Sequence, residues 1–553
     1  MDMNKIKTII FACLLFSITN ELLAQFPGKY WVKFKDKNFS PYSVGIPSAY
    51  LSARSIARRA NQGIGTDITD IPVNQTYINQ VNATGAQVFQ RSKWMNAAVV
   101  IINNASQLSA INSLTCVLSS APVGKYIKTK SEEELSVNAI TPSSNKQSSV
   151  SSYSYGPSFT QINQIGADCM HELGFRGQGI VIAVIDAGFE NVNTNPVFDS
   201  LRNEGRLLGT RDYVAGNTSV NEDYLHGANC LSLIAGNTPG QLIGTAPKSE
   251  YWLIRSEDAA TEKIIEENNW VIAAEFADSV GADITTTSLG YTTFDNPSQN
   301  HVYADLNGRT AVASIAATMA ARKGIFVLNA AGNEGGGAWN YIGVPADADS
   351  ICTVGAVNGS GVHAGFSSVG PTSDGRIKPD LSSMGQNAYV CNSNGAFSTG
   401  NGTSYATPIL AGAVACLWQA HPNRTNMAIL HALKVTASQS TNPDNIYGWG
   451  IPNICDAHNY LNLHNDVGLQ ESDVNRSVVI FPNPAHNQVN FSLNEKIEKV
   501  KLMDVLGNDV AFSLTEKQSN TFELVFNTEM ANGVYFISIK TTEGVINSKF
   551  VKE

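Results

Sequence analysis

The chain has 553 residues, 43% hydrophobic and 15% charged; it is too long for one ordinary domain and has the composition of a folded protein, not a disordered one. Its net charge of −10 is unevenly divided, because residues 26–150 carry 13 Lys and Arg against 6 Asp and Glu, whereas residues 151–553 carry 22 against 39. Opposite charges attract, so this division favours docking of the front segment on the remainder. No basic patch interleaved with aromatic residues suggests binding to nucleic acid.

The first residues have the layout of a cleaved secretory signal. Lys5 and Lys7 precede an apolar run over residues 9–18, and Leu22-Leu23-Ala24 follows before Gln25. The run is about ten residues long, short of the roughly 20 that a membrane-spanning helix needs. We therefore predict a signal peptide over residues 1–24 and export of the mature protein.

Residues 25–130 are predicted to form a small α+β domain, with strands at 30–34 and 97–102 and helices at 48–61 and 74–83. Residues 131–157 contain three consecutive glutamates and a cluster of serines. Such a polar segment cannot bury enough apolar surface to become ordered. It is predicted to be a linker and an accessible site for proteolytic processing.

Between residues 158 and 465, short apolar runs alternate with helical patterns. This alternation predicts a parallel sheet covered by helices on both faces, with functional residues at the carboxyl ends of the strands. The predicted strands are 180–185, 251–254, 283–288, 325–328 and 351–357, and two of the helices are 263–280 and 310–322.

The tail over residues 475–553 has a different pattern. Short alternating strands such as 500–504 and 534–540 are separated by turn sequences rich in Gly and Asn, which predicts a small all-β sandwich.

Seven cysteines remain once the signal peptide is removed, and seven cannot all pair. They are widely spaced without a CxxC repeat, so a zinc cluster is disfavoured. We predict that most are buried small hydrophobic residues and leave their pairing open. They are Cys116, Cys169, Cys230, Cys352, Cys391, Cys416 and Cys455.

Three polar residues stand where predicted elements end or begin. Asp186 follows the strand 180–185, where an aspartate is often only a turn or helix cap. His226 would open an apolar helix, and a lone histidine is more often structural than catalytic, although it suits proton transfer near neutral pH. Asn333 follows the strand 325–328 among glycines, where a simple turn is the alternative to an oxyanion donor.

Ser404 lies in Gly402-Thr403-Ser404-Tyr405-Ala406-Thr407-Pro408, at the start of an apolar helix. A serine hydroxyl is a poor nucleophile at neutral pH unless a base, a residue that orients the base and oxyanion donors are supplied. His226, Asp186 and Asn333 are candidates for these three roles.

The order Asp186, His226, Asn333, Ser404 and the residues around them resemble the subtilisin-like serine proteases (subtilases, peptidase family S8) over roughly residues 158–462. The matching motifs are Val184-Ile185-Asp186-Ala187-Gly188, His226-Gly227 with Gly244-Thr245-Ala246-Pro247, Ser288-Leu289-Gly290, residues 330–333 and residues 402–408.

The resemblance implies a three-layer α/β sandwich with an Asp-His-Ser triad. Ser404 would attack the peptide carbonyl, His226 would move the proton, and Asp186 would orient the imidazole. Asn333 would stabilise the oxyanion. The substrate would pair as an added strand with Ser288, Leu289 and Gly290.

Three positions depart from the commonest pattern of that family. Ala187 replaces a serine or threonine, which removes a hydroxyl near the Asp186 carboxylate. Ala228-Asn229 replaces threonine-histidine, and Tyr405 replaces a methionine. These changes affect the tuning of the site and its pocket more than the reaction class.

The outer segments also resemble known domains. The front segment is similar to the inhibitory prodomain of the same enzymes, through residues 51–54, 57–60 and 92–97. The tail is similar to the sorting domain of type IX secretion in Bacteroidetes-type bacteria, through Phe481-Pro482-Asn483-Pro484-Ala485, Gly533-Val534-Tyr535-Phe536 and the terminal Lys549-Phe550-Val551. A generic β-sandwich that binds carbohydrate or a partner is the alternative for the tail.

The sequence therefore predicts a secreted or cell-surface serine endopeptidase that is made as a zymogen and acts through an acyl-enzyme. The alternative is a catalytically weak or inactive surface binding protein on a protease fold. The α/β hydrolases are disfavoured because their triad has a different order. No cofactor is expected for the chemistry, and structural calcium is common in the family, although the sequence assigns no ligands. The expected partners are peptide substrates, the chain's own prodomain and the type IX machinery.

Overall fold

The computed structural model describes residues 26–124, 153–222, 224–464, 478, 480–493, 495–504, 510–518, 520–526, 530–541 and 544–553. The chain divides into two compact units, residues 1–463 and 464–553. The predicted signal peptide and residues 131–152 of the predicted linker lie outside the described residues. Within the described part, no helix has the length and apolar character needed to cross a membrane.

The front segment, residues 26–124, forms a four-stranded antiparallel sheet with two of its three helices packed on one face. The sheet has the order β2-β3-β1-β4. Its strands are β1 (Gly28–Phe34), β2 (Gln87–Ser92), β3 (Ala97–Ile102) and β4 (Val117–Gly124), and its helices are α1 (Ala53–Asn61), α2 (Gln75–Ala83) and α3 (Ala105–Asn112).

The two faces of this front sheet have different partners, as the alternation of side chains along a strand requires. In β1, Tyr30, Val32 and Phe34 point into the small core of the front segment. Trp31 points to the opposite face and packs in a cluster that contains residues of the following domain. The front segment is therefore joined to that domain through an apolar sheet face.

Helix α1 begins later than the predicted 48–61. The side chain of Ser52 accepts a hydrogen bond from the backbone N–H of Ser55, which caps the helix so that its first residue is Ala53. A short 3₁₀ turn over Pro47–Ala49 precedes it. The two segments that the sequence pattern merged are thus separate elements.

The central domain contains a seven-stranded parallel sheet with the order β13-β12-β11-β10-β5-β9-β6. All five predicted strands are present, and the sheet also includes β6 and β13, which the pattern did not indicate. The strands are β5 (Val181–Asp186), β6 (Leu207–Asp212), β9 (Glu250–Arg255), β10 (Ile284–Thr287), β11 (Phe326–Ala330), β12 (Cys352–Val357) and β13 (Leu381–Met384); β7 (Asn237–Thr238) with β8 (Leu242–Ile243) and β14 (Ala388–Cys391) with β15 (Phe397–Gly400) form two small separate sheets.

Helices cover both faces of this sheet, which confirms the predicted three-layer α/β architecture. Residues of α7, α10, α11 and α12 share one core with Ile182 and Val184 of β5. Residues of α8 and α9 share the other core with Val181, Ala183 and Ile185. The helices are α4 (Phe159–Gln164), α5 (Ala167–Glu172), α6 (Asp199–Asn203), α7 (His226–Ala235), α8 (Ile265–Val280), α9 (Val312–Arg322), α10 (Thr403–Ala420), α11 (Asn426–Val435) and α12 (Ile454–Leu463).

A disulfide bond between Cys169 and Cys455 joins α5 to α12. The remaining described cysteines are unpaired and buried, as predicted for most of them: Cys116, Cys230, Cys352, Cys391 and Cys416. Because its two residues lie near opposite ends of the domain, the bond closes almost the whole domain into one loop.

The tail unit is a small β-sandwich, as predicted. Two three-stranded antiparallel sheets, β16-β19-β18 and β17-β20-β21, enclose one core that includes Phe491, Leu524, Ile537 and Phe550. The strands are β16 (Gln488–Ser492), β17 (Ile497–Met503), β18 (Phe512–Gln518), β19 (Thr521–Phe526), β20 (Gly533–Thr541) and β21 (Gly544–Lys552).

We predict that replacing Cys169 and Cys455 together by serine lowers the free energy of unfolding by about 3–5 kcal/mol, because the unfolded chain regains the entropy of a long open loop. Their sequence separation is 286 residues. Thermal unfolding of the oxidised and reduced protein measures the effect. The reduced wild type should unfold at the same temperature as the double variant. An oxidised wild type that is no more stable than that variant would contradict the prediction.

Candidate active site

Asp186 is the last residue of β5, an interior strand of the parallel sheet, and its side chain is buried. Its Oδ1 atom accepts hydrogen bonds from His226 Nδ1 at 2.8 Å and from the backbone N–H of Ala187 at 2.8 Å. Its Oδ2 atom is buried and has no hydrogen-bond partner among the described residues. Residue 187 is alanine, so its side chain offers this carboxylate no hydroxyl group.

His226 opens helix α7, as the sequence predicted. The helix begins close to the end of β5 because the next residue is glycine: a Cβ atom at Gly227 would lie 2.4 Å from the carbonyl oxygen of Gly188 and 2.8 Å from the Cβ atom of Asp186. The sequence His-Gly is thus what allows the imidazole to reach the carboxylate.

The imidazole of His226 is only 15% exposed. Burial by itself favours the neutral ring, but the Asp186 carboxylate outweighs it and holds the pKa of His226 well above its usual value. With Nδ1–H donating to Asp186, the neutral ring carries its free lone pair on Nε2. Above the pKa of His226, that nitrogen can accept a proton from a substrate or a nucleophile.

Ser404 is the second residue of helix α10, and its backbone carbonyl lacks the usual hydrogen bond within the helix because residue 408 is proline. Proline has no N–H group to complete the bond to the residue four positions earlier. The carbonyl oxygen of Ser404 instead accepts hydrogen bonds from Ser288 Oγ at 2.8 Å and from Cys230 Sγ at 3.3 Å. The nucleophile candidate is therefore tied to both neighbouring elements, α7 and the end of β10.

The hydroxyl of Ser404 donates to the carbonyl oxygen of Ser288 at 3.2 Å. The described contacts contain no hydrogen bond from this hydroxyl to His226. A catalytic hydrogen bond of this kind often forms or tightens only when substrate is bound.

Asn333 lies just beyond β11, with its side-chain orientation fixed by Thr403. Its Oδ1 atom accepts hydrogen bonds from the backbone N–H of Thr403 at 2.9 Å and from its hydroxyl at 3.0 Å. The amide nitrogen is thereby left as the free end of the side chain. A free N–H donor beside the start of α10 suits stabilisation of an oxyanion.

Ser288, Leu289 and Gly290 continue the chain beyond β10. Ser288 and Leu289 are buried, whereas Gly290 is exposed. The carbonyl oxygen of Leu289 accepts from Asn329 Nδ2 at 3.2 Å, but the backbone groups of Gly290 have no backbone partner among the described residues. An extended peptide can pair with this edge.

The sequence motifs did not indicate Cys230 as part of the site. Its thiol lies 3.9 Å from His226 Nδ1, and the ligand atoms of Asp186, His226 and Cys230 lie within 4.8 Å of one another. The spacing of four residues from His226, one turn of α7, is the signal that could have found it. Burial raises the pKa of the Cys230 thiol, so it is neutral beside the imidazole.

Among the described residues, Asp186, His226 and Cys230 are the one group of three or more His, Cys, Asp or Glu side chains whose possible metal-ligand atoms lie close together. Its nitrogen and sulfur ligands are not those that calcium prefers. A structural calcium site therefore stays a prediction without assigned ligands.

Glu257 adds a further carboxyl group near the site, just after β9. Burial and the neighbouring carboxylates of Glu262 and Asp186 raise its pKa to about 8. The side chain is therefore largely uncharged at neutral pH, which limits the negative charge around His226.

Three segments of the chain match models of known families. Residues 177–450 match the subtilase family (peptidase S8), residues 29–140 match the peptidase S8 propeptide domain of Bacteroidota, and residues 479–553 match the secretion system C-terminal sorting domain. The last match identifies the tail as an export signal across the outer membrane, to the cell surface or the medium.

Similar curated proteins include Subtilisin NAT of Bacillus subtilis subsp. natto, 31% identical over 297 residues that span 53% of this chain and 69% of the relative. Subtilisin of Bacillus pumilus is also 31% identical, over 53% of this chain and 96% of the relative. Subtilisin Savinase of Lederbergia lenta is 28% identical, over 53% and 95%. With the fold and the arrangement of Asp186, His226, Asn333 and Ser404, these matches establish that the chain belongs to the subtilase family of serine proteases, with a propeptide domain before the protease domain and a secretion sorting domain after it.

Proposed function

We propose that the protein is a secreted serine endopeptidase that hydrolyses peptide bonds through an Asp186-His226-Ser404 triad. The observation that carries this proposal is the convergence of the Asp186–His226 hydrogen bond, the start of α10 at Ser404 and the free amide of Asn333. The subtilisins named above, which are similar over the same region, support it.

The first chemical step transfers the proton of the Ser404 hydroxyl to His226 Nε2 while Oγ attacks the peptide carbonyl carbon. Collapse of the tetrahedral intermediate breaks the C–N bond, and His226 gives the proton to the leaving amine. Water then attacks the acyl-enzyme by the same route. Asp186 keeps Nδ1 protonated and stabilises the imidazolium that forms in each step.

The oxyanion would be bound by the amide nitrogen of Asn333 and by the backbone N–H of Ser404. One such side-chain donor contributes about 3–4 kcal/mol to transition-state stabilisation. The bonds from Thr403 to Asn333 Oδ1 set the direction of the donor before substrate arrives.

The front domain docks on α8 through buried ion pairs, which supports the role of an inhibitory prodomain. Arg58 and Arg59 of α1 bind the two oxygens of Asp278, each at 2.6 Å, and these side chains are almost fully buried. Arg58 also donates to the carbonyl oxygens of Ala282 and Lys323. Both arginines lie near the C-terminal end of α8, where positive charge is favoured.

A second contact joins the turn after β2 to the middle of α8. The carboxyl group of Glu275 accepts hydrogen bonds from Ser92 Oγ, from the backbone N–H of Lys93 at 2.7 Å and from that of Trp94 at 3.2 Å. Burial raises the pKa of Glu275 to about 7. These bonds, with the ion pairs at Asp278, would keep the zymogen closed until the linker is cut.

We predict that Ser404→Ala abolishes hydrolysis of casein, by about a millionfold, and abolishes labelling by a fluorophosphonate. Ser360→Ala, which changes an exposed loop serine, should leave both unchanged. Labelling of Ser404→Ala at the wild-type rate would refute the assignment. A wild type that is processed but never labelled would favour the alternative of an inactive surface binding protein.

Arg58→Met in the prodomain should weaken inhibition of the mature enzyme by added prodomain about 100-fold or more, because it removes a buried cation and leaves hydrogen-bond acceptors unpaired. Arg91→Met is the matched control, since Arg91 is exposed and donates to Gln75 within the prodomain. Inhibition constants measure the effect, and equal constants for both variants would contradict the proposed docking.

Ala187→Ser should raise the free energy of unfolding of the mature enzyme by about 1 kcal/mol, because the new hydroxyl can donate to the unpaired Oδ2 of Asp186. Ala187→Cys has a similar size but a weak donor, and it should show little gain. Urea unfolding compares the three proteins. A serine variant no more stable than the cysteine variant would mean that Oδ2 does not need this donor.

A further inference from the structure

Tyr405 follows Ser404 in α10, and its ring lies against the imidazole of His226. The two ring centroids are 6.3 Å apart, and the planes are inclined by 28°, which is a stacked arrangement. Tyr405 is only 5% exposed. In the part of the chain that the structure describes, no other aromatic ring is stacked on His226.

The ring of Tyr405 occupies a space that exists because residue 400, at the end of β15, is glycine. A Cβ atom at Gly400 would lie 2.4 Å from Cε2, 3.0 Å from Cζ and 3.1 Å from the hydroxyl oxygen of Tyr405. The backbone at Gly400 does not need a left-handed conformation, so close packing against the ring is the reason for this glycine.

The hydroxyl end of Tyr405 lies beside helix α7. The side chain of Asn229, three residues after His226, lies near this hydroxyl. Burial raises the pKa of the Tyr405 hydroxyl. The ring is therefore a neutral phenol over the pH range in which a histidine titrates.

Tyr405 and Asn229 are both positions where the chain departs from the commonest subtilase motif, and their side chains lie near each other. Gly400, Asn229 and Tyr405 thus form one packed group, which we call the tyrosine backing of His226. A neutral ring stacked beside an imidazole limits its rotation and attracts the imidazolium through the π face.

We propose that Tyr405 is a positioning residue for His226, which holds the imidazole toward Asp186 and stabilises its protonated form during proton transfer. This proposal rests on the proposed triad. The other titratable groups around the imidazole are Asp186 from β5, Cys230 from α7 and Glu257 after β9. All three residues are retained in the variants at positions 405 and 400.

The test uses mature enzyme whose active sites are counted with the fluorophosphonate. Tyr405→Leu should lower kcat about tenfold, change KM by less than about twofold and move the acid limb of the kcat/KM profile down by about half a pH unit. Tyr405→Phe keeps the ring over Gly400, so it should retain at least about half of kcat and the wild-type acid limb. The downward shift is expected because loss of the π face destabilises the imidazolium.

Gly400→Ala tests the same contact without changing Tyr405. Its added methyl group should displace the ring and reproduce the shift of the acid limb, and the double variant Gly400→Ala/Tyr405→Leu should be no worse than Tyr405→Leu alone. Tyr389→Leu is the control, because Tyr389 stacks on Phe397 and not on an imidazole; its acid limb should be that of the wild type.

The positioning role is overturned if Tyr405→Leu keeps the wild-type acid limb, or if Gly400→Ala and Tyr405→Leu act additively on kcat. It is also overturned if Tyr405→Phe falls to the level of Tyr405→Leu. These outcomes are distinct from failure of the proposed function, which would appear as a wild type without fluorophosphonate labelling.

Discussion

The hydrogen bond from His226 Nδ1 to Asp186 Oδ1 joins the first residue of α7 to the last residue of the interior strand β5. It forms because Gly227 lets the helix start within contact distance of the strand end. The bond sets the tautomer of the imidazole, and the buried carboxylate sets its pKa. The other elements of the site are arranged around this pair.

Pro408 has a comparable effect on the serine side of the site. By leaving the carbonyl of Ser404 without a helical partner, it frees an acceptor that Ser288 and Cys230 use. The start of α10 is thereby attached to β10 and to α7 at once. These two hydrogen bonds, and not only apolar packing, thus fix the position of Ser404 relative to the imidazole of His226.

Helix α8 contacts both the parallel sheet and the front domain in the zymogen. Its small residues Ala273, Ala274 and Ala277 pack into the core of the parallel sheet. Its opposite side carries Glu275 and Asp278, whose carboxyl groups receive donors from the front domain. Once the front domain leaves, α8 exposes the face that carries these two carboxyl groups. The contact between the basic front segment and the acidic remainder of the chain therefore includes this face of α8.

The sequence by itself determined the central strands, the order of the domains and the residues of the candidate site. Continuous apolar β-branched runs are typical of buried parallel strands, and motifs at the carboxyl ends of such strands meet on one edge of the sheet. It did not indicate β6, which is only half buried, or β13, whose two serines lower its apolar character although helices α4 and α10 cover this edge strand.

Only the tertiary structure decided which cysteines pair, where the Ser404 hydroxyl points and what holds the Tyr405 ring. Cys169 and Cys455 are 286 residues apart, so no local pattern links them. Position 405 was visible in the sequence only as an unusual residue beside the serine. Its contact with His226 depends on space at Gly400 and on a side chain of another helix, and distances between segments remote in the chain exist only once the chain is folded.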